Sequence, residues 1–348
     1  MTKYLPPGPD RMTLFQTTAW QQAWQNSWPP RLIQVPQFKP IPAAGAYQIR
    51  HPLKGLIPVS SLVPFGCHAP LVGSMRSEYW HHVAPIGKQA PSVEGWLERA
   101  LPFIKHQLLL PDVVLDSEAF QAIERFATAH KLTLLQRNES IAYAVDSQHQ
   151  SFANYLSVLG ANTRLKLFNR RKRLAELGEI RLVNMWPDST AFIEQIDVFH
   201  QMRWGRPCFS SSNRNFVEQL MTQLVADGHK VDLSGLMVDE EIVSVLLDLT
   251  VDQRTYNLQG GFLEDRFKGI SLGTLHFGYQ IEKAFLDTGV QVYDFMAGTG
   301  KHSNYKVKLG TMSTKLVDLA LVKSHWLAVI YRLNEQKNRL LYSQICKP

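Results

Sequence analysis

The sequence predicts a mixed α/β (α+β) chain in two lobes, with a mostly antiparallel sheet flanked by helices. Three observations carry that prediction. Residues 233–308 read as three strands, a Gly-containing loop, a helix, a strand ending in Asp294, and a turn with Tyr and Lys. The earlier half also interleaves short strand-like runs with helix-period segments. At 348 residues, two domains are the default expectation.

The elements follow in order. AWQQAWQNSW reads as an aromatic helix, and AYQIRH, GLIPVSSLV and LTLLQR as short strands. A helix is expected from Ser117 to His130, with Phe120, Ile123 and Phe126 on one face. DSQHQS, residues 146–151, reads as a linker, dividing residues 1–148 from 149–348.

Residues 152–177 then form a basic helical hairpin. Gly160 breaks it, Asn162 or Thr163 is placed to cap the second helix, and Gly178 to end it. Lys166, Arg170 and Arg173 recur at i, i+4, i+7 and make a solvated face. Arg164 and Arg171 share a face with Phe168, close to Leu167 and Leu174. A guanidinium drawn toward a core needs a partner, either a structural carboxylate or an anionic substrate. As a helix-turn-helix the hairpin lacks the polar Asn, Gln and Ser side chains that read base edges.

IEQIDVFHQMRW is a further helix, with Phe192 just before it and Ile196 and Phe199 within it on the core face, and Arg203 and Trp204 at its end. LSGLMVD and IVSVLLDLTVD form a hairpin about Glu240-Glu241. TYNLQGGFL is the third strand, where Gly260 and Gly261 mark a bulge or a close backbone approach. ISLGTLHFGYQIEKAFLDTG is apolar around most of its circumference, as a buried helix is, and Gly289 stands as its C′ residue. His276 on it reads as a satisfied core histidine.

The loop before that helix is RFKGIS, residues 266–271. A helix N-terminus offers unpaired N–H groups and partial positive charge, so it holds phosphate. Gly269 permits a tight turn, and Arg266 and Lys268 add charge. An ordinary strand-to-helix turn also uses Gly and a Ser cap, so the loop alone leaves both readings open.

Two other motifs fail on context. Gly269-Ile-Ser271-Leu-Gly273 matches a hydrolase nucleophile elbow, with Asp294 and His302 following in triad order. However, EDRFK separates the apolar strand from the first Gly, and too few residues lie between Ser271 and Asp294. Gly298-Thr-Gly300-Lys301 resembles a P-loop tail, but Phe295 and His302 occupy the positions that need Gly and Ser/Thr.

Composition suits a globular enzyme: 45% apolar and 19% charged residues allow a sizeable core. The net charge of +7 and pI of about 9.2 favour anionic partners without choosing among CoA phosphates, glycans, nucleic acid or a membrane surface. Cys67, Cys208 and Cys346 are scattered and odd in number, so reduced cytosolic thiols are expected. His81-His82 and the other histidines show no metal spacing, and no metal is expected. MTKYLPPGPDRM lacks an apolar signal region, and no stretch is long enough to span a bilayer. A cytoplasmic protein is expected, peripheral at the inner membrane face if its role is in the envelope.

RFKGIS is similar to the Arg/Gln-x-x-Gly-x-Gly/Ala pyrophosphate loop of GNAT acyltransferases, with Ser271 departing from the usual last residue. NTRLKLFNRRKRLAELGEI, VFHQMRW and KGISLGTLHFGYQIEKAFLDTGVQVYDFMAGTGKHSNYKVKLG resemble, in order, the FemAB-like and CelD/BcsL-type acyltransferases of bacterial envelope polysaccharide work. AWQQAWQNSW resembles the opening helix of that family, so the likeness covers most of the chain.

The resemblance implies a two-lobed GNAT-like fold. Residues 1–148 would be a degenerate lobe and 149–348 the acyltransferase lobe. Arg266, Lys268, Gly269, Ser271 and Gly273 would bind acetyl-CoA or another acyl-CoA. Tyr305 would protonate the thiolate and Lys306 would neutralise a phosphate or substrate carboxylate, while Asp294 is expected to orient or deprotonate the acceptor on the separate ground that it ends a strand where α/β sheets place ligand chemistry. Arg164, Arg171 and Trp204 would contact that acceptor, an amine on an envelope or exopolysaccharide precursor, with an anionic glycan or lipid-linked carrier as partner.

Two alternatives are an aminoacyl-tRNA-dependent FemAB-like transferase and a non-catalytic binder of anionic ligands. Against tRNA, the hairpin's some 25 residues make only about 37 Å of helix, short of the family's long coiled-coil arm.

Overall fold

The computed structural model describes residues 12–28, 38–53, 55–68, 72–80, 92–298 and 303–333. MTKYLPPGPDR at the N-terminus, His81, His82, Lys301, His302 and Cys346 lie outside the described residues. Contacts divide the chain into two compact units, and not by a single cut near residue 148. The described part of Met1–Ser27, with α1 (Thr18–Ser27), groups with Ser140–Lys315. Trp28–Glu139 groups with the chain from Leu316 onward.

The second of these units is built on β1 (Phe38–Ile41), β2 (Ala46–Leu53), β3 (Ile57–Pro64), β4 (Gln107–Val114) and most of β11 (Met312–Val322). They lie in the order β1-β2-β3-β4-β11, with only the β3/β4 pair parallel. Two amphipathic helices pack together here, α2 (Val93–Ala100) and α3 (Glu118–Ala129). Ser92 and Ser117 cap them, each accepting a backbone N–H three residues on. Phe120, Ile123 and Phe126 are buried as their spacing predicts.

The other unit has the strand order β6-β7-β8-β9-β10-β5. The strands are β6 (Ile180–Asn184), β7 (Lys230–Val238), β8 (Glu241–Val251), β9 (Arg254–Phe262), β10 (Val292–Ala297) and the later half of β5 (Thr133–Asp146). All pairs are antiparallel except β9/β10.

Helices cover both faces of this sheet. They are α4 (Phe152–Val158), α5 (residues 161–175), α6 (Ser189–Trp204), α7 (Ser211–Ala226), α8 (Leu272–Leu286) and α9 (Ser303–Leu309). A Cβ on Gly261 would touch Ile196 and Phe199 of α6, whereas the Phe262 ring lies against Gly273 of α8. Successive strand residues point to opposite faces, so α6 and α8 cover opposite sides of β9. The aromatic α1 packs on α7, with the Trp20 and Phe216 rings edge to face at 4.8 Å.

Several local expectations change. Gly160, not Asn162 or Thr163, is the N-cap of α5, and no side chain caps it. The middle of α5, Leu165–Asn169, is a π-helical turn. At that turn its backbone meets α8 so closely that a Cβ on Gly278 would fall on the Leu167 carbonyl. Gly178 and Gly289 are not left-handed caps. Gly178 lies where a Cβ would stand 2.6 Å from Asp239 Oδ2, and Gly289 lies in a turn closed by Val290 N–H to Asp287 O. Asp294 is not a strand end, because β10 runs on to Ala297.

Candidate functional site

β9 and β10 are parallel neighbours for only three residue pairs, the last being Tyr256 with Asp294. Beyond it β9 continues to Phe262 and β10 to Ala297 without pairing, so the two strands part. Two irregularities open them. In β9, Asp248 pairs with Asn257 and Leu247 with Gln259, which leaves Leu258 as an extra, bulged residue. In β10 the register with β5 breaks between Asp294 and Ala297, and Met296 is left-handed at φ 61°.

Asp294 and Lys306 both act on that break. The Asp294 carboxylate is wholly buried and accepts from Met296 N–H at 2.7 Å and from Arg254 Nε at 2.8 Å. Lys306 Nζ donates to the carbonyls of Phe295, Met296 and Ala297 at 2.6, 3.2 and 2.9 Å. These are carbonyls that a kinked strand cannot give to a neighbour, and a buried carbonyl needs a donor. Tyr305, next to Lys306, is half-buried and stacks on Phe277 at 5.6 Å. Burial pushes its phenol up to about 12, so it keeps its proton through the neutral range.

At the open edge, Gly260 turns both backbone groups away from β8. Its N–H goes to Gln259 Oε1 at 3.2 Å and its carbonyl to His200 Nε2 at 3.1 Å. His200 stands one turn before Trp204 on α6, and the two rings meet edge to face at 4.4 Å. Trp204 is 44% exposed, with the Arg203 guanidinium 4.6 Å above its ring. Gly205 ends α6 in the left-handed conformation at φ 68°.

The loop from β9 to α8 is anchored by apolar residues. Ile270 is buried among Leu174, Val238, Val243 and Leu275, and its N–H closes a turn to Phe267 O at 3.1 Å. That leaves Lys268 and Gly269 exposed. Gly269 has φ +78°, a conformation that excludes most side chains, and Arg173 Nη1 lies 3.5 Å from where its Cβ would be. The basic face of α5 therefore reaches the loop. Ser271 is the N-cap of α8 but makes no side-chain cap bond. Gly273 lets the first turn of α8 close on β9, since a Cβ there would stand 2.7 Å from the Phe262 ring.

Arg266 is held by Glu241, Nη2 to Oε2 at 2.8 Å. Both flank an open cleft of about 550 Å³ also lined by Leu177, Val238, Asp239, Glu240 and Phe267. Its acidic lining suits no phosphate, so the loop and the strand edge outweigh this cleft. An exposed ion pair contributes only about 0–1 kcal/mol. Glu241→Gln should therefore leave the melting temperature nearly unchanged while freeing Arg266. The sequence expectation is that Arg266 faces phosphate, so a titration with inorganic pyrophosphate should then show tighter binding than wild type, and weaker binding would contradict that expectation.

Arg164 and Arg171 do not join this site. Arg164 Nη1 bonds the Leu156 carbonyl at 3.3 Å. Arg171 pairs with Glu282 and lies between the rings of Phe168 (4.5 Å) and Tyr279 (3.8 Å), riveting α5 to α8. Tyr279 and Glu282 are seven and ten residues along α8 from Leu272, about 10–15 Å down the helix from its N-terminus. His276 is buried between the Ser234 and Ser244 hydroxyls, each 2.9 Å away, and burial lowers it to about 3, as a satisfied core histidine. Sequence reasoning placed Arg173 on a solvated face and passed over His200. The i, i+4 spacing of His200 and Trp204 is the signal that could have found the latter.

Among the described residues no three His, Cys, Asp or Glu side chains are grouped to hold a metal. No described helix is long and apolar enough to cross a membrane.

Residues 161–307 match the family described as Acetyltransferase (GNAT) domain. No curated protein matches the chain by sequence. Among solved structures, FemX is similar at 11% identity and TM-score 0.56, over 92% of this chain and 95% of that one. A conserved protein of unknown function from Bacteroides thetaiotaomicron is similar at 11% identity and TM-score 0.53, over 90% and 93%. Identities this low speak to fold, and the fold is GNAT-like.

Proposed function

We propose, from the premise that residues 161–307 form an acetyltransferase (GNAT) domain and that the chain is an acyltransferase, that it moves an acyl group, most simply acetyl, from acyl-CoA to an amine. The observation that carries this reading is the parting of β9 and β10 beside the N-terminus of α8. The parted edge offers backbone groups to a thioester, and the helix start offers N–H groups to a pyrophosphate.

The residues present fit such a donor. Gly269, Ser271 and the first turn of α8 would hold the pyrophosphate, with Lys268 and Arg173 adding charge and Arg266 joining on leaving Glu241. Gly273 serves by seating the helix on the strand. A backbone N–H of the bulged stretch 258–260 would polarise the thioester carbonyl. Tyr305 would offer its proton to the departing thiolate. Asp294 and Lys306 would serve by holding the β10 kink that keeps the edge open. Trp204 would stack on the acceptor. By resemblance, that acceptor is an envelope or exopolysaccharide precursor on the cytosolic side. Arg164 and Arg171 would support the hairpin rather than touch substrate.

The test is thermal stabilisation by CoA and acetyl-CoA. A ligand at 100 times its dissociation constant adds about 2.7 kcal/mol. Gly269→Asp should abolish the shift, through a strained φ and a carboxylate aimed at phosphate. A shift retained in that variant would move the donor away from this loop. The resemblance of the sequence to FemAB-like enzymes supports a second reading, an aminoacyl-tRNA donor. No shift with CoA but saturable tRNA binding would select it.

A further inference from the structure

We propose that His200 takes the proton of the acceptor nitrogen during acyl transfer, a role that rests on the acyl-CoA reading above. Geometry fixes its tautomer. A carbonyl only accepts, so Nε2, 3.1 Å from the Gly260 oxygen, carries the hydrogen. The neutral ring then has its lone pair on Nδ1, for which no partner occurs among the described residues. Gly260 lies in the part of β9 that no longer pairs with β10, so the imidazole is fixed on the parted edge, beside the exposed Trp204.

The surroundings keep the ring a base. Burial lowers its pKa, and the hydrogen bond to the Gly260 carbonyl raises it by less, so the net shift is downward. On α6, Arg203 lowers it and Asp197 raises it, and Arg206 in the following loop lowers it. Asp197 and Arg203 are already engaged elsewhere. Asp197 accepts the N–H groups of Cys208 and Phe209 at 2.8 and 3.2 Å, and Arg203 pairs with Glu264 at 2.8 Å. Arg206 is exposed and has no ion partner among the described residues. The nearby Cys208 thiol, pushed up to about 12 by burial, stays uncharged. On β9 the facing group is the Gly260 carbonyl. A neutral imidazole at neutral pH follows, ready to accept a proton.

The step balances. The neutral acceptor nitrogen attacks the thioester carbon, the N–C bond forms and the C–S bond breaks. The nitrogen's extra proton passes to His200 Nδ1 and then to solvent. The thiolate leaves with its electron pair and gains a proton from Tyr305 or water, and Tyr305 is recharged by solvent.

The experiment uses the full chain and His200→Gln, which keeps an N–H for the Gly260 carbonyl but removes the base. Hydroxylamine serves as the acceptor probe, small enough for any groove, and CoA release is read against pH. Acetyl-CoA-induced thermal stabilisation is measured in both proteins, and NMR of labelled histidine gives the tautomer and titration midpoint of His200. The expected result is an unchanged acetyl-CoA shift and KM, with kcat lower by roughly 10²–10⁴-fold in the variant. The wild-type profile should inflect at the NMR midpoint, below that of a free histidine, and the inflection should vanish in the variant. Equal kcat in the two proteins with the donor bound, or an Nδ1–H tautomer, would overturn the role of His200 alone. No acetyl-CoA stabilisation of wild type would overturn the donor reading, and this proposal with it.

Discussion

Asp294→Ala is expected to destabilise the fold by about 3–5 kcal/mol, the usual consequence of removing one member of a buried ion pair. Arg254, at 10% side-chain exposure, would lose the carboxylate 2.8 Å from its Nε, and Met296 N–H would lose its acceptor in the middle of a strand break. Asp294→Asn should cost less, because an amide oxygen can still bond Met296 N–H. A double replacement, Asp294→Leu with Arg254→Met, should recover much of the loss, since the buried charge leaves with its partner. Urea denaturation of the four proteins measures this. A cost below about 1 kcal/mol for Asp294→Ala would refute the clamp. A small stability cost with complete loss of turnover would favour the direct catalytic role expected of a strand-end carboxylate.

Asp248→Asn is expected to stabilise the protein at high pH and do little in acid. Asp248 is 2% exposed, and burial raises its carboxyl from 3.8 to about 7 against the opposing hydrogen bonds of Asn257 and Tyr293. Below about pH 4 the carboxyl is protonated in both folded and unfolded chains, and it costs nothing. Between about pH 4 and pH 7 the unfolded chain ionises while the folded one still holds its proton. Stability therefore falls as pH rises, and the full penalty, at most about 4 kcal/mol, stands above pH 7. An asparagine carries no charge to bury. It can accept from Asn257 and donate to the Tyr293 oxygen, so the network survives. Melting temperatures at pH 4.5 and pH 8 decide the matter, since a difference between variant and wild type that does not grow with pH would contradict the raised carboxyl.

The local grammar of the chain was legible without a structure. The run from β7 to α8 follows from alternation, a short charged turn and a helical period, all of which act within a few residues. Gly269 was singled out for a tight turn, and it is left-handed. Phe192, Ile196 and Phe199 are buried as their spacing predicts. The direction of Arg171 was legible too, since its face on α5 follows from period, although its partner Glu282 lies 111 residues away.

The site's chemistry was less legible, because it depends on contacts between segments remote in sequence. Asp294 reads as a free strand-end carboxylate until Arg254, 40 residues earlier, is placed against it. Lys306 reads as a partner for a phosphate or a substrate carboxylate until β10 kinks and three carbonyls need a donor. His200 acquires a tautomer only when Gly260, 60 residues on, turns its carbonyl out of the sheet. The sequence by itself determined which segments are helices and strands, which faces are apolar, and where a tight glycine turn precedes α8, because period, propensity and glycine geometry are local. The tertiary structure alone decided which charges are spent on the scaffold and which remain for a ligand, because burial and pairing depend on the distance between groups in space.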